Sequence, residues 1–367
     1  MYTYGYEAMS TSHVKNQEYR PNAEEHQRPD LKNMTLEEIQ DFIASLGKEK
    51  YRAKQIMKWL YRFGTTSFDE MTTLSKAFRA EISAIARISS LEIAKIQRST
   101  DGTKKILFKL EDGNFIESVL IREKNHWTIC VSTQAGCQMG CKFCLTGKQT
   151  FKRNLLPSEI AGQILTARCQ TSEGENIKNI VMMGMGEPLA NYTNTIKAIH
   201  IITADEGLGF SKRRITVSTC GIVPMIEKLG RDAAVNLAVS LNAPDNTTRT
   251  YLMPINRMYP LERLIEACRQ YEMPRRRRIT FEYILIKGVN DSPDDAEKLA
   301  HLMRGVPCKF NLIPFNEYPR SEFKTPDDAR IEAFRNILIK HQYTAVIRAS
   351  KGRDILAACG QLRGQEK

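Results

Sequence analysis

The chain has 367 residues, 42% apolar and 26% charged, enough for one large domain with a sizeable core and one or two small ones. No apolar run approaches the roughly 18 residues of a membrane span, and no basic stretch leads into an apolar one near residue 1. Neither a membrane nor a secreted protein is expected, and a cytoplasmic location is. Lys and Arg number 54 against 42 Asp and Glu, a formal charge of +12 that favours a polyanionic partner, nucleic acid first.

Residues 1–30 are polar with little to bury and read as a disordered arm. Thr35-Leu36-Glu37-Glu38 is a capping box opening a helix that Gly47 closes, and Ser67-Phe68-Asp69-Glu70 repeats the signature. Between the two boxes Ile56, Trp59, Leu60 and Phe63 share one helical face, which predicts a small helical accessory domain over 31–92. Residues 93–124 read as short strands about the Glu111-Asp112-Gly113-Asn114 turn.

From 125 a rhythm sets in. Strands are predicted at 127–132, 179–183, 214–219, 235–241, 279–286, 309–314 and 344–349, with amphipathic helices in most gaps. One helix opens at Pro157-Ser158-Glu159, with Ser158 as the expected N-cap. Alternating strands and helices mean a parallel sheet, so 125–350 reads as an α/β, full or partial TIM-like barrel, with a doubly wound open sheet as the alternative. In either fold ligands gather at the C-terminal strand ends. Residues 351–367 are left as a C-terminal loop carrying Cys359.

Nine cysteines are few for this length, and a cluster among them points to metal or catalysis before disulfides. Cys137, Cys141 and Cys144, in CQMGCKFC, follow the first parallel strand. Structural zinc wants a fourth ligand, and His126, the nearest histidine, precedes the strand. A [4Fe–4S] cluster with three thiolate-bound irons and one iron left open fits better. Gly184-Met185-Gly186-Glu187-Pro188 follows the next strand. It lacks a phosphate-loop pattern, but its glycines permit close backbone approach and its carboxylate can pair with an ammonium. At the least it is a tight strand-to-helix turn. Ser218, Ser240-Leu241-Asn242 and Asn316 fall on the same edge. Taken alone, Cys130 is a buried strand residue and Glu117 a solvated one. Cys359 is equally packing or reactive, and Cys169, Cys220, Cys268 and Cys308 belong to the core. Basic clusters suited to phosphate lie at Lys148, Lys152, Arg153; at Lys212, Arg213, Arg214; and at Arg275–Arg278. The first two are favoured because they adjoin strand ends.

Cys-x3-Cys-x2-Cys after the first strand of a βα array resembles the radical S-adenosylmethionine (SAM) superfamily, in which SAM chelates the open iron. GCQMGCKFC, NIVMMGMGEPL, SKRRITVSTCG, NLIPFN and DILAACGQL, in this order, resemble the RlmN/Cfr family of radical SAM RNA adenine methyltransferases over about residues 33–363. The run around SKRR is more similar to the RlmN branch, which methylates C2, than to the Cfr branch, which methylates C8.

The resemblance implies a partial (βα)6 radical SAM barrel with a helical N-terminal accessory domain. Its cofactors would be a [4Fe–4S] cluster on Cys137, Cys141 and Cys144, and SAM held by Gly186, Glu187, Ser218, Ser240, Leu241, Asn242 and Asn316. It also implies that Cys359 is methylated by one SAM and that a second, reduced at the cluster, generates a radical on the S-methyl group. That carbon adds to C2, Glu117 accepts the C2 proton, and Cys130 attacks the Cys359 sulfur to release RNA and leave a disulfide. Substrates would be an adenosine of 23S rRNA at the peptidyl-transferase centre and tRNA next to the anticodon, with flavodoxin or ferredoxin as electron donor. Two other classes compete: a radical SAM enzyme for a small molecule, disfavoured by the +12 charge, and a non-enzymatic metal-containing RNA-binding protein, in which Cys130, Cys359 and Gly186-Glu187 would have no purpose.

Overall fold

A computed structural model of the chain describes residues 28–171, 174–272 and 277–364. Its centre is one ten-stranded sheet in the order β1-β2-β3-β4-β7-β8-β9-β10-β11-β12. Strands β1 (Glu92–Arg98), β2 (Lys104–Lys109) and β3 (Phe115–Arg122) form an antiparallel meander, and β3 also pairs antiparallel with β4 (Trp127–Cys130). A short ribbon follows, β5 (Gln134–Ala135) against β6 (Arg153–Asn154). Then β7 (Ile177–Met182), β8 (Ile215–Thr219), β9 (Asn236–Ser240), β10 (Ile279–Leu285), β11 (Cys308–Pro314) and β12 (Thr344–Ile347) continue from β4, every neighbour parallel. Helices α4 (Pro157–Arg168), α5 (Tyr192–Thr203), α6 (Val223–Asp232), α7 (Asn246–Leu252), α8 (Leu261–Gln270), α9 (Pro293–Leu302) and α10 (Asp328–Lys340) fill the crossovers. Six βα units and a closing strand make the expected partial barrel. Apolar runs become strands because they are covered on both faces, and Ile129, Ile180, Val217, Leu237, Val239, Phe281, Phe310 and Leu312 are wholly buried. The meander at 92–122 belongs to the same sheet, so it is structurally continuous with the barrel.

The N-terminal helices are α1 (Leu36–Ser45), α2 (Tyr51–Lys58) and α3 (Lys76–Ile85). Thr35 and Glu38 form the expected reciprocal capping box, and Gly47 takes φ +69 just past the end of α1. Four expectations need correction. The arm over 1–30 lies outside the described residues up to 27, but Asp30 is 6% exposed and accepts N–H bonds from Lys32 and Ser89. The second box opens only a 3-10 turn, Phe68–Glu70, because the Glu70 carboxylate goes to Thr65; α3 starts later, on the hydroxyl of Ser75. Past Lys58 the helix widens to a π turn, Trp59–Phe63, which carries Phe63 off the buried face to 58% exposure. Finally, Leu156, not Ser158, precedes α4: Pro157 takes the first helical position, and Ser158 N–H donates to Asn33 Oδ1 at 3.0 Å, joining accessory region to barrel.

Candidate active site

The cysteine loop leaves β5 through Gly136, whose φ is +81 and whose added Cβ would lie 2.4 Å from the Thr150 carbonyl oxygen. The loop is fixed from outside by Lys142 N–H to Leu252 O at 3.0 Å and Leu145 N–H to Gly360 O at 2.7 Å. Burial pushes the Cys137 thiol up to about 12, and raises Cys141 and Cys144 as well; for Cys141 the other two thiols add to the effect. The N–H groups of Thr146 and Gly147 oppose it at Cys144. Three half-buried thiols, two of them hindered in ionising by their neighbours, suit a polycationic ligand, which would reverse the balance. Among the described residues no three His, Cys, Asp or Glu side chains converge on a single ion position.

The turn after β7 packs against the strand before it. A Cβ on Gly184 would lie 2.7 Å from Val131 O, and one on Gly186, where φ is +96, 2.5 Å from Gln134 Cβ. Only glycine lets this backbone so close. Glu187 is aimed by Gln134 Oε1, which accepts its N–H at 2.9 Å. Its Oε1 accepts from Leu189 N–H at 3.0 Å and its Oε2 from Cys220 N–H at 2.7 Å. Burial raises this carboxyl, and the groups that oppose the shift are N–H, S–H and O–H donors from Cys220, Leu189 and Thr219, with no lysine or arginine among them. A buried carboxylate so placed favours an incoming cation.

A cavity of about 140 Å³ brings Cys137, Cys141, Cys144, Gly186, Glu187, Ser218, Ser240, Asn242 and Cys359 onto one wall surface at the C-terminal strand ends. Asn242 spends its Oδ1 on Ile284 N–H at 2.8 Å. Two expected contacts fall outside this wall. Leu241 is in the core, and Asn316 lies beneath the Cys359 loop, donating from Nδ2 to Cys359 O at 3.2 Å; its buried Oδ1 has no partner among the described residues.

Cys359 is exposed at the mouth, but the protein around it, Glu282 foremost after burial itself, pushes its thiol up to about 11. Cys130, at the end of β4, is buried, and its thiol is raised by that burial and then by the nearby Cys359. Glu117 is 3% exposed and is not on the cavity wall. Its carboxylate pairs with Lys105 Nζ at 3.1 Å and accepts N–H bonds from Arg363 at 2.7 Å and Gly364 at 3.1 Å.

Sequence reasoning missed three participants. Glu282, inside β10, lines the cavity and accepts from Ser218 Oγ at 3.2 Å; a lone carboxylate in an apolar strand was its signal. Cys220, placed in the core, lies on the cavity wall with its thiol donating to Glu187. Arg249, in α7, is 0% exposed and donates to the carbonyls of Cys220, Ser240 and Leu241 at 2.7, 3.3 and 3.1 Å, tying the ends of β8 and β9. Cys268 and Cys308 are buried as expected, while Cys169 is exposed.

The basic clusters divide. Lys148 lies 5.2 Å over the Tyr318 ring and near Cys144, beside the mouth. Arg153 is committed to Glu159 and Asp112. Lys212, Arg213 and Arg214 precede β8, at the strand end opposite the cavity, so the reason for favouring them fails. Arg275 and Arg276 lie outside the described residues.

Residues 29–88 match the family described as the ribosomal RNA large subunit methyltransferase N-terminal domain, and 131–303 match the radical SAM superfamily. A dual-specificity RNA methyltransferase RlmN from Syntrophus aciditrophicus is 63% identical over 92% of this chain and 97% of its own length. The chain belongs to the RlmN family. A second RlmN, from Desulfosudis oleivorans, is 53% identical over 92% of this chain and 91% of its own. The crystal structure of a radical SAM methyltransferase from Sphaerobacter thermophilus superposes with a TM-score of 0.86 at 45% identity, over 92% of this chain and all of that one. As an RlmN-family chain this is a SAM-dependent radical SAM methyltransferase, with a [4Fe–4S] cluster and SAM as its cofactors. Among the described residues no helix is long and apolar enough to cross a membrane.

Proposed function

We propose that this chain methylates C2 of an adenosine in 23S rRNA and of an adenosine in tRNA next to the anticodon. The observation that supports this best is the single cavity shared by Cys137, Cys141, Cys144, Glu187 and Cys359. The three clustered thiols would hold the cluster; Glu187 would hold the SAM ammonium, and Ser218, Ser240 and Asn242 the rest of SAM. Leu241 and Asn316 would act from behind this wall. When bound, the two cofactors supply an electron, a methyl group and a carbon-centred radical.

The chain's own residues do the remainder. C2 of adenine is an electron-poor sp² carbon with no nucleophilic electron pair, so a methyl cation has nothing to react with there. Cys359, at the mouth, carries the methyl carbon to the base instead, forming a thioether-linked RNA adduct. Glu117 accepts the C2 proton. Cys130, buried next to Cys359, attacks that sulfur; the C–S bond breaks, the released CH2 carbon takes a proton to become the methyl group, and a Cys130–Cys359 disulfide remains. An electron-donor protein such as flavodoxin or ferredoxin then restores the thiols. The accessory helices over 31–92 and Lys148 by the mouth would engage RNA phosphates.

Mass mapping of modified adenosines in RNA from cells with and without the protein tests the reading. 2-Methyladenosine in both 23S rRNA and tRNA should disappear with the gene. Loss of 8-methyladenosine alone would refute C2 chemistry.

A further inference from the structure

Lys105 and Glu117 sit on β2 and β3, where Lys105 faces Val119 and Leu107 faces Glu117. Residues two apart share a face of the sheet, so the two side chains meet on a diagonal. Their ion pair is closed: Nζ to Oε1 is 3.1 Å, and the side chains are 7% and 4% exposed. Neither charge is spent on the pair alone. Lys105 Nζ also donates to Leu356 O at 3.3 Å, while Glu117 Oε2 takes the N–H bonds of Arg363 and Gly364. Residues 356 and 363–364 flank Cys359 on either side. The contact is intimate: a Cβ on Gly364 would lie 2.5 Å from Phe115 O on β3. A buried ion pair gains little stability over an apolar pair of similar volume, because desolvating both charges offsets their attraction. This one has a different use.

We propose that Lys105 and Glu117 form a latch that docks the Cys359 segment, with Lys105 as its positioning residue. Docked, the segment presents Cys359 at the cavity mouth, and Glu117 has Oε1 on Lys105 and Oε2 on two amides, so it is closed to any base. Lifted, the segment uncovers Glu117. Tail anchor and proton acceptor are thus mutually exclusive states of one carboxylate, which separates loading of Cys359 from deprotonation of C2. The second half rests on the reading of Glu117 as base; the latch itself does not.

Hydrogen–deuterium exchange on the full-length, anaerobically purified chain tests the latch without requiring turnover. Lys105→Met strands the Glu117 charge and should raise exchange in peptides spanning 356–364 at least about tenfold, with β8 and β9 peptides unchanged. Lys105→Arg keeps the cation and should keep the protection. Unchanged tail exchange in Lys105→Met would overturn the latch, as would an equal rise in β8 and β9, which would mean general loosening. RNA methylation is scored separately in Glu117→Gln. A loosened tail with parental methylation removes the base reading and its exclusion while supporting the latch.

Discussion

Arg249→Met should be costly although Arg249 touches no proposed reacting group. The guanidinium donates to Leu241 O, Asn256 Oδ1, Cys220 O and Ser240 O at 3.1, 2.9, 2.7 and 3.3 Å. A buried acceptor left without its donor costs about 1–3 kcal/mol, so four cost at least about 4 kcal/mol. Part returns, because burial already disfavours this cation and methionine needs no such desolvation. The expected net loss is about 3 kcal/mol, and a melting point about 4 °C lower at about 1.3 °C per kcal/mol for a chain of this length. Urea unfolding of the cofactor-free chain, followed by circular dichroism, should show a lower midpoint at constant slope. SAM affinity should fall as well, since the freed carbonyls end the strands that carry Ser218 and Ser240. Arg249→Lys should recover little, as an ammonium is too compact to serve acceptors spread over two strand ends. A midpoint equal to or above the parent's would refute the reasoning, for it would mean that desolvating the guanidinium outweighs its four bonds.

Gly186→Ala and Gly113→Ala form a pair: both glycines have positive φ, +96 and +80, but only Gly186 has atoms within reach of a new Cβ. The first should cost about 1–3 kcal/mol more than the second and weaken SAM binding, and equal unfolding midpoints would show that crowding is unimportant. Cys130→Ala should accumulate a protein–RNA adduct that survives denaturation and thiol reductants, because its link is a thioether; normal turnover with no adduct on a gel would make Cys130 a packing residue. With its thiol pushed up to about 11, Cys359 is almost wholly protonated at neutral pH. Its alkylation by iodoacetamide without SAM should therefore climb about tenfold per pH unit toward that value, and a plateau below pH 9 would contradict it.

What was legible in the sequence follows from range. The parallel strands could be read because burial on both faces leaves continuous apolar runs, and Thr35-x-x-Glu38 because a capping box is complete within four residues. Ser67-x-x-Glu70 carries the same letters but misleads, because a neighbouring hydroxyl, Thr65, takes the Glu70 carboxylate. Cys137, Cys141 and Cys144 were visible because their spacing brings three sulfurs together just past a strand, and Glu187 through the resemblance of its Gly-Glu turn. Cys220 was not, since a cysteine beside glycine looks the same in a core as in a cavity wall. Arg249 and Lys105 carry no local pattern: an arginine in a polar helix and a lysine in a strand read as solvated, and their burial is decided by residues as distant as Cys220 and Leu356. Glu117 was read with the wrong surroundings for that reason, its partners lying 246 and 247 positions away.

The segment around Cys359 is anchored from far along the chain: Ser99 bonds Asp354, Lys105 bonds Leu356, Thr146 bonds Leu362, across separations of 255, 251 and 216 residues. Closing such loops is among the slower events in folding. A ribosome makes β1–β3 and the cysteine loop long before residue 359, but Leu145 N–H and the Thr146 hydroxyl of that loop bond Gly360 O and Leu362 O, so the loop gains its full set of bonds only when the Cys359 segment docks. A nascent or truncated chain therefore lacks both the thiol that bonds RNA and two of the bonds that fix the cysteine loop. Competence for covalent attack arrives last, when the segment docks against the sheet meander at 92–122 and the cysteine loop.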